Sequence, residues 1–498
     1  MLKTLLIDLG DSRRENNEPI GMECIASYVE SNSEYNVDLQ WFNIDDNIHN
    51  VLNYDIVGIS LNIGNLDIFD RIYRIATKQT IIVGGNIPTF ASSELLQHYS
   101  GIICSLGEGE ETFLRLLEFL ESNTISSELI NIPNIAFKID GQIYETIRKP
   151  FSLDSAPQIK RDEKIIGTIK KTNGIARIEA SRGCSWRHCT FCCVNSKYAD
   201  PNWRGFSIEK ITNELIDLSD MGILSPYFTD EDFYGNQPSR VKALADAITD
   251  LKLNSKINYK MDFFLSILTN DIAKSEGKEA LKALKKAGLR EVFMGIESLG
   301  RDQLERFNKK AIPDLNKKAI SFVKSLGLQV DLGFILFDPE MSIEELISNV
   351  EYIDDLKLNN YDSRSIKRLR LQPRTAYANN YIDSTYILDI NNLEYPYVFK
   401  DKKVNMVYTM YKKWEDECVA KVWRYQALTR GENVPDRELL KQALGEIRNV
   451  DFKALKVILT YIVETISENE YLIQMGEFRD EKQVIMKNFE ALLIKCKS

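Results

Sequence analysis

"EASRGCSWRHCTFCCVNSKY", residues 179–198, places four of the chain's eight cysteines within ten positions. It overlaps "IARIEASRG", whose apolar residues and position between turn signals predict a strand. Cys184, Cys189 and Cys192 are separated by four and then two residues. Three thiolates on one loop can hold three irons of a four-iron cluster and leave the fourth iron open, much as a catalytic metal site keeps a free position. Zinc is the rival reading, with Cys184, Cys189, Cys192 or Cys193, and His188 as its N/S ligands. Spacing alone supports the two equally.

Outward from this loop, strand and helix patterns alternate. "IARIEASRG", "SPYFTDEDF", "INYKMDFFLS", "EVFMGIES", "QVDLGFILF" and "IKRLRLQ" read as six strands. Ile208, Ile211, Leu215 and Leu218, and later Ala280, Leu281, Leu284 and Ala287, carry the helical period between them. Ser342 with Glu345 is a capping-box signature, and Gly222, Gly288 and Gly327 fall where helices should stop. Six parallel units predict a partial (β/α)6 barrel over 171–380, with chemistry at the carboxyl ends of its strands as in the full TIM barrel.

Before the loop, "KTLLIDLG", "YDIVGISLN", "TIIVGGNIPT" and "GIICSLG" alternate with helical patterns, which predicts an α/β doubly wound parallel sheet. This Rossmann-like domain is expected over 1–150, ending in a small hairpin and an irregular linker to about 170. Such sheets bind ligands beyond the carboxyl ends of their strands. After about 380 the strands end, and 381–498 reads as a C-terminal helical cap that selects substrate. Its run "YTMYKKWEDECVAKVWRYQ" reads as core or as a pocket wall.

Composition fits a soluble globular chain of 498 residues, 44% hydrophobic and 27% charged, in two or three domains. Asp8 interrupts the first apolar run and no small-residue cleavage site follows, so the start reads as a strand rather than a signal peptide. A cytoplasmic location is expected, with no membrane partner. The net charge of −10 gives no general attraction to nucleic acid. Clustered cysteines in such a chain argue for a metal or reactive site over a disulfide framework. Cys24, Cys104, Cys418 and Cys496 fall on apolar faces or the tail and need no function.

The cysteine stretch resembles the signature of radical S-adenosylmethionine (radical SAM) enzymes, whose usual gaps are three and two, with an aromatic residue before the last cysteine. Phe191 fits that position and selects Cys192 over Cys193 as the third ligand of a 4Fe-4S cluster. The first gap here is one residue longer. "PYFTDEDFYGN" is similar to the family's second-strand acidic segment, which makes Asp230, Glu231 and Asp232 candidates near the S-adenosylmethionine amino group or the substrate. "EVFMGIESLGRDQLERFNK" is similar to the fourth-strand segment and puts Glu297 and Ser298 at the ribose or methionine end of that cofactor. "FDPE" departs from the glycine-proline motif commoner in that segment, and "LRLQPRT" stands where the last strand contacts adenine. Each acidic residue alone would also suit a solvated strand end or a helix cap.

"NEPIGMECIASYVES", "YDIVGISLN", "IIVGGNIPT" and "SLGEGEETF" resemble the landmarks of the cobalamin-binding domain that precedes many radical enzymes. The resemblance puts Ser60, Leu61, Gly84 and Gly85 at the nucleotide tail and corrin edge, and Gly107 and Glu108 on the last loop toward the ring. The Asp-x-His-x-x-Gly segment that supplies a cobalt-ligating histidine has no counterpart, because His49, His98 and His188 stand elsewhere. Many cobalamin-dependent radical enzymes resemble this sequence in that lack.

The resemblance implies a cobalamin-dependent radical SAM C-methyltransferase in natural-product biosynthesis, acting on a peptide or small-molecule substrate. A reductant such as flavodoxin or ferredoxin would feed the cluster, S-adenosylmethionine would yield a 5'-deoxyadenosyl radical, and methylcobalamin would deliver the methyl group to the substrate carbon. Two alternatives stand beside it: the same architecture running a rearrangement, epimerisation or ring contraction without methyl transfer, and a zinc-stabilised protein that senses cobalamin. The sequence names no catalytic residue. Cys193 is read as structural or as a hydrogen donor, and His188 as loop-shaping.

Overall fold

The computed structural model describes residues 2–9, 17–42, 47–122, 126–310, 312–358, 366–430 and 436–495, so Cys496 lies outside the described residues. The chain divides into two compact units. One comprises Met1–Arg187, Phe191–Gly235 and Leu371–Pro396; the other comprises His188–Thr190, Asn236–Arg370 and Tyr397–Ser498.

The first unit is built on β1 (Thr4–Asp8), β2 (Val37–Trp41), β3 (Ile56–Ser60), β4 (Thr80–Gly84) and β5 (Ile102–Ser105), with a hairpin β6 (Ile135–Ile139) and β7 (Gln142–Glu145). The sheet runs β2-β1-β3-β4-β5-β6-β7, parallel through β5 and antiparallel across the hairpin. Successive side chains of a strand point to opposite faces, and this sheet buries both. Leu5, Ile7, Val57, Ile59, Ile81 and Val83 join one core, while Leu6, Ile56, Ile82 and Ile103 join the other. That two-sided burial explains the near-continuous apolar runs in the sequence.

Two elements extend the sequence reading. β2, "VDLQW", is a fifth parallel strand at the sheet edge, and the expected linker contains a helix, Glu163–Thr172. Asp162 caps that helix by accepting from the Lys164 and Ile165 amides at 2.7 and 3.1 Å, and Ile165, Ile166 and Ile169 bury its inner face.

The same unit then holds β8 (Arg177–Ile178), β9 (Ser181–Arg182), β10 (Arg204–Gly205) and β11 (Tyr227–Phe228), with β8 parallel to β11 and β9 antiparallel to β10. The segment Leu371–Pro396 also belongs to it. Asn391 accepts from the Leu66 amide at 3.1 Å, capping the helix Leu66–Ile75, and Leu393 is buried in the first core.

The second unit carries β12 (Phe263–Leu268), β13 (Leu289–Glu297) and β14 (Gln329–Phe334), all parallel, with helices Ser275–Ala287 and Pro313–Ser325 as crossovers. The sixth expected strand, "IKRLRLQ", keeps one parallel bridge, between Phe337 and Arg368. Long helices close the chain, among them Arg437–Ile462 and Glu468–Lys495. No helix among the described residues is long and apolar enough to cross a membrane.

Candidate cofactor sites

In the first unit the parallel order places β1 beside β3, with β2 and β4 outside them. The chain therefore reverses its winding direction there, and doubly wound sheets bind ligands in the crevice outside the strand ends at such a point. A cavity of about 350 Å³ lies there, reached by Asp8 from the end of β1 and Ser60 from the end of β3. Its size is at the lower end of the range for cofactor sites.

Glycines shape this cavity. Gly58, Gly84, Gly85, Gly107 and Gly109 all line it. Gly85 has φ +96, and a Cβ there would come within 2.9 Å of the Leu61 carbonyl oxygen. A Cβ on Gly84 would meet nothing closer than 4.0 Å, so the space beside it belongs to the cavity. Backbone left bare in this way can approach a flat, bulky ligand closely.

Among the cobalamin candidates, Ser60, Gly84, Gly85, Gly107 and Glu108 line the cavity. Leu61 does not. Its side chain is fully buried in the core, and its backbone ties the floor together by donating to the Gly84 carbonyl at 2.8 Å and accepting from the Ile87 amide at 3.2 Å. Asn62 completes the floor, donating to Ser60 Oγ at 3.0 Å and accepting from the Asn86 amide at 3.1 Å. His49 lies in a short 3-10 turn and His98 ends the helix Asn86–His98, while the described lining contains no histidine.

The opposite wall comes from the quoted stretch and its approach: Arg177, Glu179, Arg182, Lys197 and Tyr198. Sequence reasoning assigned none of these a role, although four stand inside the stretch itself. Glu231 accepts from Lys197 Nζ at 2.6 Å and from the Tyr198 hydroxyl at 2.8 Å. Burial works against its charge, but the Lys197 ammonium and both hydrogen bonds outweigh it and hold the carboxyl below its usual range.

The neighbouring carboxylates turn inward. Asp230 accepts from the Ser181 hydroxyl and from the Ala180 amide, the latter at 3.2 Å; burial pushes its carboxyl up to about 7 against those two bonds. Asp232 is fully buried and accepts from the Ser185 amide at 3.0 Å, the Ser185 hydroxyl at 2.6 Å and the Gly235 amide at 3.0 Å. It thereby fastens the residue that follows Cys184.

All described cysteines are free thiols. Arg187, in the longer first gap, takes φ +28, a rare backbone state for an L-residue. The donor chemistry, three thiols spread over nine residues of one loop, fits an iron-sulfur cluster. Cys193 is different: it packs against the first core and its carbonyl starts the turn Val194–Lys197, accepting from the Ser196 amide at 2.9 Å. Phe191 belongs to the first unit, with Cys184 and Cys192. Among the described residues no three His, Cys, Asp or Glu side chains, those of this loop included, are grouped around a single metal position.

In the second unit, Cys189 lies between residues tied to the helix Arg301–Arg306 and to the turn that follows it. The Thr190 hydroxyl donates to the Arg306 carbonyl at 2.8 Å, and Asn308 donates to the His188 carbonyl at 3.0 Å. Glu297 ends β13 at φ +60, where the β13–β14 register shifts, and pairs with Lys309 at 3.2 Å. A non-glycine residue held at positive φ on a strand end is the kind of strain that gathers at functional sites. Ser298 is fully buried, accepts from the Gly300 amide at 2.9 Å and has its carbonyl held by Asn316 at 3.1 Å.

Comparison with known proteins agrees with both halves. Residues 8–117 match the B12 binding domain, and residues 178–353 match the radical SAM superfamily. The 4'-phospho-dehydrooxetanocin synthase of Priestia megaterium is 29% identical over 327 residues, covering 60% of this chain and 42% of that protein. The hopanoid C-3 methylase of Methylococcus capsulatus is 28% identical over 265 residues, covering 53% of this chain and 48% of the relative. The chain thus spans less than half the length of these two relatives. Its fold is similar to that of the cobalamin-dependent S-adenosylmethionine radical enzyme OxsB with aqua-cobalamin bound, with TM-score 0.80 at 18% identity over 99% of this chain and 81% of that one.

Proposed function

We infer that this chain, which belongs to the proteins joining a B12-binding domain to a radical SAM domain, is a cobalamin-dependent radical SAM enzyme that methylates an unactivated carbon of a peptide or natural-product substrate. The observation that carries the reading is the cavity at the β1/β3 switch point, with Gly84, Gly85 and Gly107 on one side and Glu179, Arg182, Lys197 and Tyr198 on the other. A corrin held there would have the residues flanking the cysteine loop as its wall.

Cys184, Cys189 and Cys192 would hold the 4Fe-4S cluster, and Phe191, Glu297 and Ser298 remain candidates for the S-adenosylmethionine site together with the acidic segment. Within that segment the inward hydrogen bonds of Asp230 and Asp232 favour a supporting role, which leaves Glu231 as the outer carboxylate. When bound, the cluster and S-adenosylmethionine supply radical chemistry and cobalamin supplies methyl transfer. The protein's own residues hold and orient these groups and exclude water. A small reductant such as flavodoxin or ferredoxin is the proposed electron donor.

A second reading is radical rearrangement without methyl transfer, favoured by the synthase among the relatives, whose name states no methylation. Anaerobic reconstitution with iron, sulfide, hydroxocobalamin and S-adenosylmethionine, followed by reduction, separates the two. Methylation predicts both 5'-deoxyadenosine and S-adenosylhomocysteine. 5'-Deoxyadenosine alone selects the second reading, and neither product rules out both.

A further inference from the structure

The loop Gly107–Glu110, at the carboxyl end of β5, is bound to the strand leading into Cys184 by a buried set of charges. Arg182 donates to Glu108 at 3.0 Å, to Glu110 at 2.6 Å and to Glu179 at 2.9 Å. Arg204 reaches the same Glu108 oxygen at 3.0 Å, and the Phe151 amide donates to the other at 3.2 Å. Glu108, Glu110 and Arg182 are all nine-tenths or more buried. Phe151 and Phe206 flank the Arg182 guanidinium, each ring centre 5.8 Å away.

A second tie lies beside it. Arg148 donates to the Lys197 carbonyl at 2.8 Å across Gly107, where a Cβ would come within 2.5 Å of the Arg148 nitrogen and 2.7 Å of that carbonyl oxygen. The loop is thus held against residues on both sides of the four cysteines. Little slack separates Arg182 from Cys184: Gly183, at φ +87, packs so tightly on the Asn202 carbonyl that a Cβ there would collide with it. Beyond Cys184, Ser185 is fastened to Asp232.

Burying this many charges costs desolvation that an apolar contact would avoid, and the best-attested return on such a cost is registry. We propose that Arg182 is a positioning residue that couples the two cofactor sites, so that assembly of the cluster on the cysteine loop tightens cobalamin binding. This rests on the cavity being the cobalamin site. By linkage, cobalamin then stabilises cluster binding by the same factor.

The test is the dissociation constant of hydroxocobalamin, read by visible absorbance on the full-length chain with and without the reconstituted cluster. Wild type should bind about tenfold more tightly when the cluster is present. In the double variant Arg182→Met/Glu110→Gln that ratio should fall to about one. Arg182→Lys, which keeps the charge but loses the planar fork, should give an intermediate ratio. A wild-type ratio of one, or an undiminished ratio in the folded double variant, overturns the coupling alone. If the double variant does not fold, an undiminished ratio in Arg182→Lys overturns it equally. Wild type that binds no hydroxocobalamin in either state overturns the coupling and the proposed cofactor together.

Discussion

Asp230 shows how a single carboxylate here is set by its surroundings. Its folded pKa of about 7 lies above the roughly 3.9 of an exposed aspartate, so the folded state binds the proton more tightly. Stability attributable to Asp230 is therefore highest below pH ~4, falls as pH rises through the window from ~4 to ~7, and is flat above it. Three pH units correspond to about 4 kcal/mol. Asp230→Asn does not titrate, so the melting temperature of wild type should drop by several degrees relative to that variant between pH 5 and 7.5. A constant gap across that range would remove the argument. Thiol spacing, the aromatic at Phe191 and the acidic run were legible because they are local. Arg182 stood in plain view in the same stretch, but its meaning depends on Glu108 and Glu110, more than seventy residues upstream, and no short-range pattern records that pairing.

At the scale of elements, local signals were read well where backbone hydrogen bonding is self-contained. The capping box at Ser342 forms as its spacing predicts: Ser342 Oγ accepts from the Glu345 amide at 3.2 Å, and Glu345 accepts in return from the Ser342 amide at 3.1 Å. Ser342→Ala should cost about 1 kcal/mol, measured by urea unfolding. Strand lengths were overestimated where side chains compete for backbone amides. "SPYFTDEDF" yields only Tyr227–Phe228, because Asp230 and Asp232 accept from the amides of Ala180, Ser185 and Gly235 and turn the chain into loop.

The helix Arg437–Ile462 differs in place from the substrate-selecting cap expected over 381–498. Lys441 pairs with Glu291 at 2.6 Å, Gln329 donates to Glu438 at 2.5 Å, and Arg437 lies 3.8 Å from Asp262. All three partners stand at or beside the amino ends of β12, β13 and β14, whereas ligands of such folds gather at the carboxyl ends. This helix therefore braces the sheet instead of capping its active end. Lys441→Met removes the ammonium that pairs with the buried Glu291 carboxylate, and should destabilise the chain by about 3–5 kcal/mol. S-adenosylmethionine cleavage per folded molecule should stay unchanged, and a large loss there would restore a substrate-facing role.

For the whole molecule, family boundaries and compact units do not coincide. The B12-binding match ends at residue 117, yet the first unit continues through Arg187 and on to Gly235. Buried arginines explain the continuity. Arg161 pairs with Glu18 at 2.9 Å and Glu214 at 2.5 Å and so joins segments before and after the cysteine stretch, while Arg182 joins the stretch itself to Glu108 and Glu110. Sequence reading finds a boundary where composition and periodicity change, whereas a compact unit is defined by burial that crosses that boundary. The cavity repeats the pattern, since Arg177, Glu179, Arg182, Lys197 and Tyr198 supply a wall that the B12-binding match lacks. A fragment ending at residue 160 should therefore lose hydroxocobalamin on desalting while the full chain retains it, even when circular dichroism shows the fragment folded. Retention by that fragment as tight as in the full chain would mean that the floor of glycines suffices and that the wall from the cysteine stretch contributes nothing to cofactor binding.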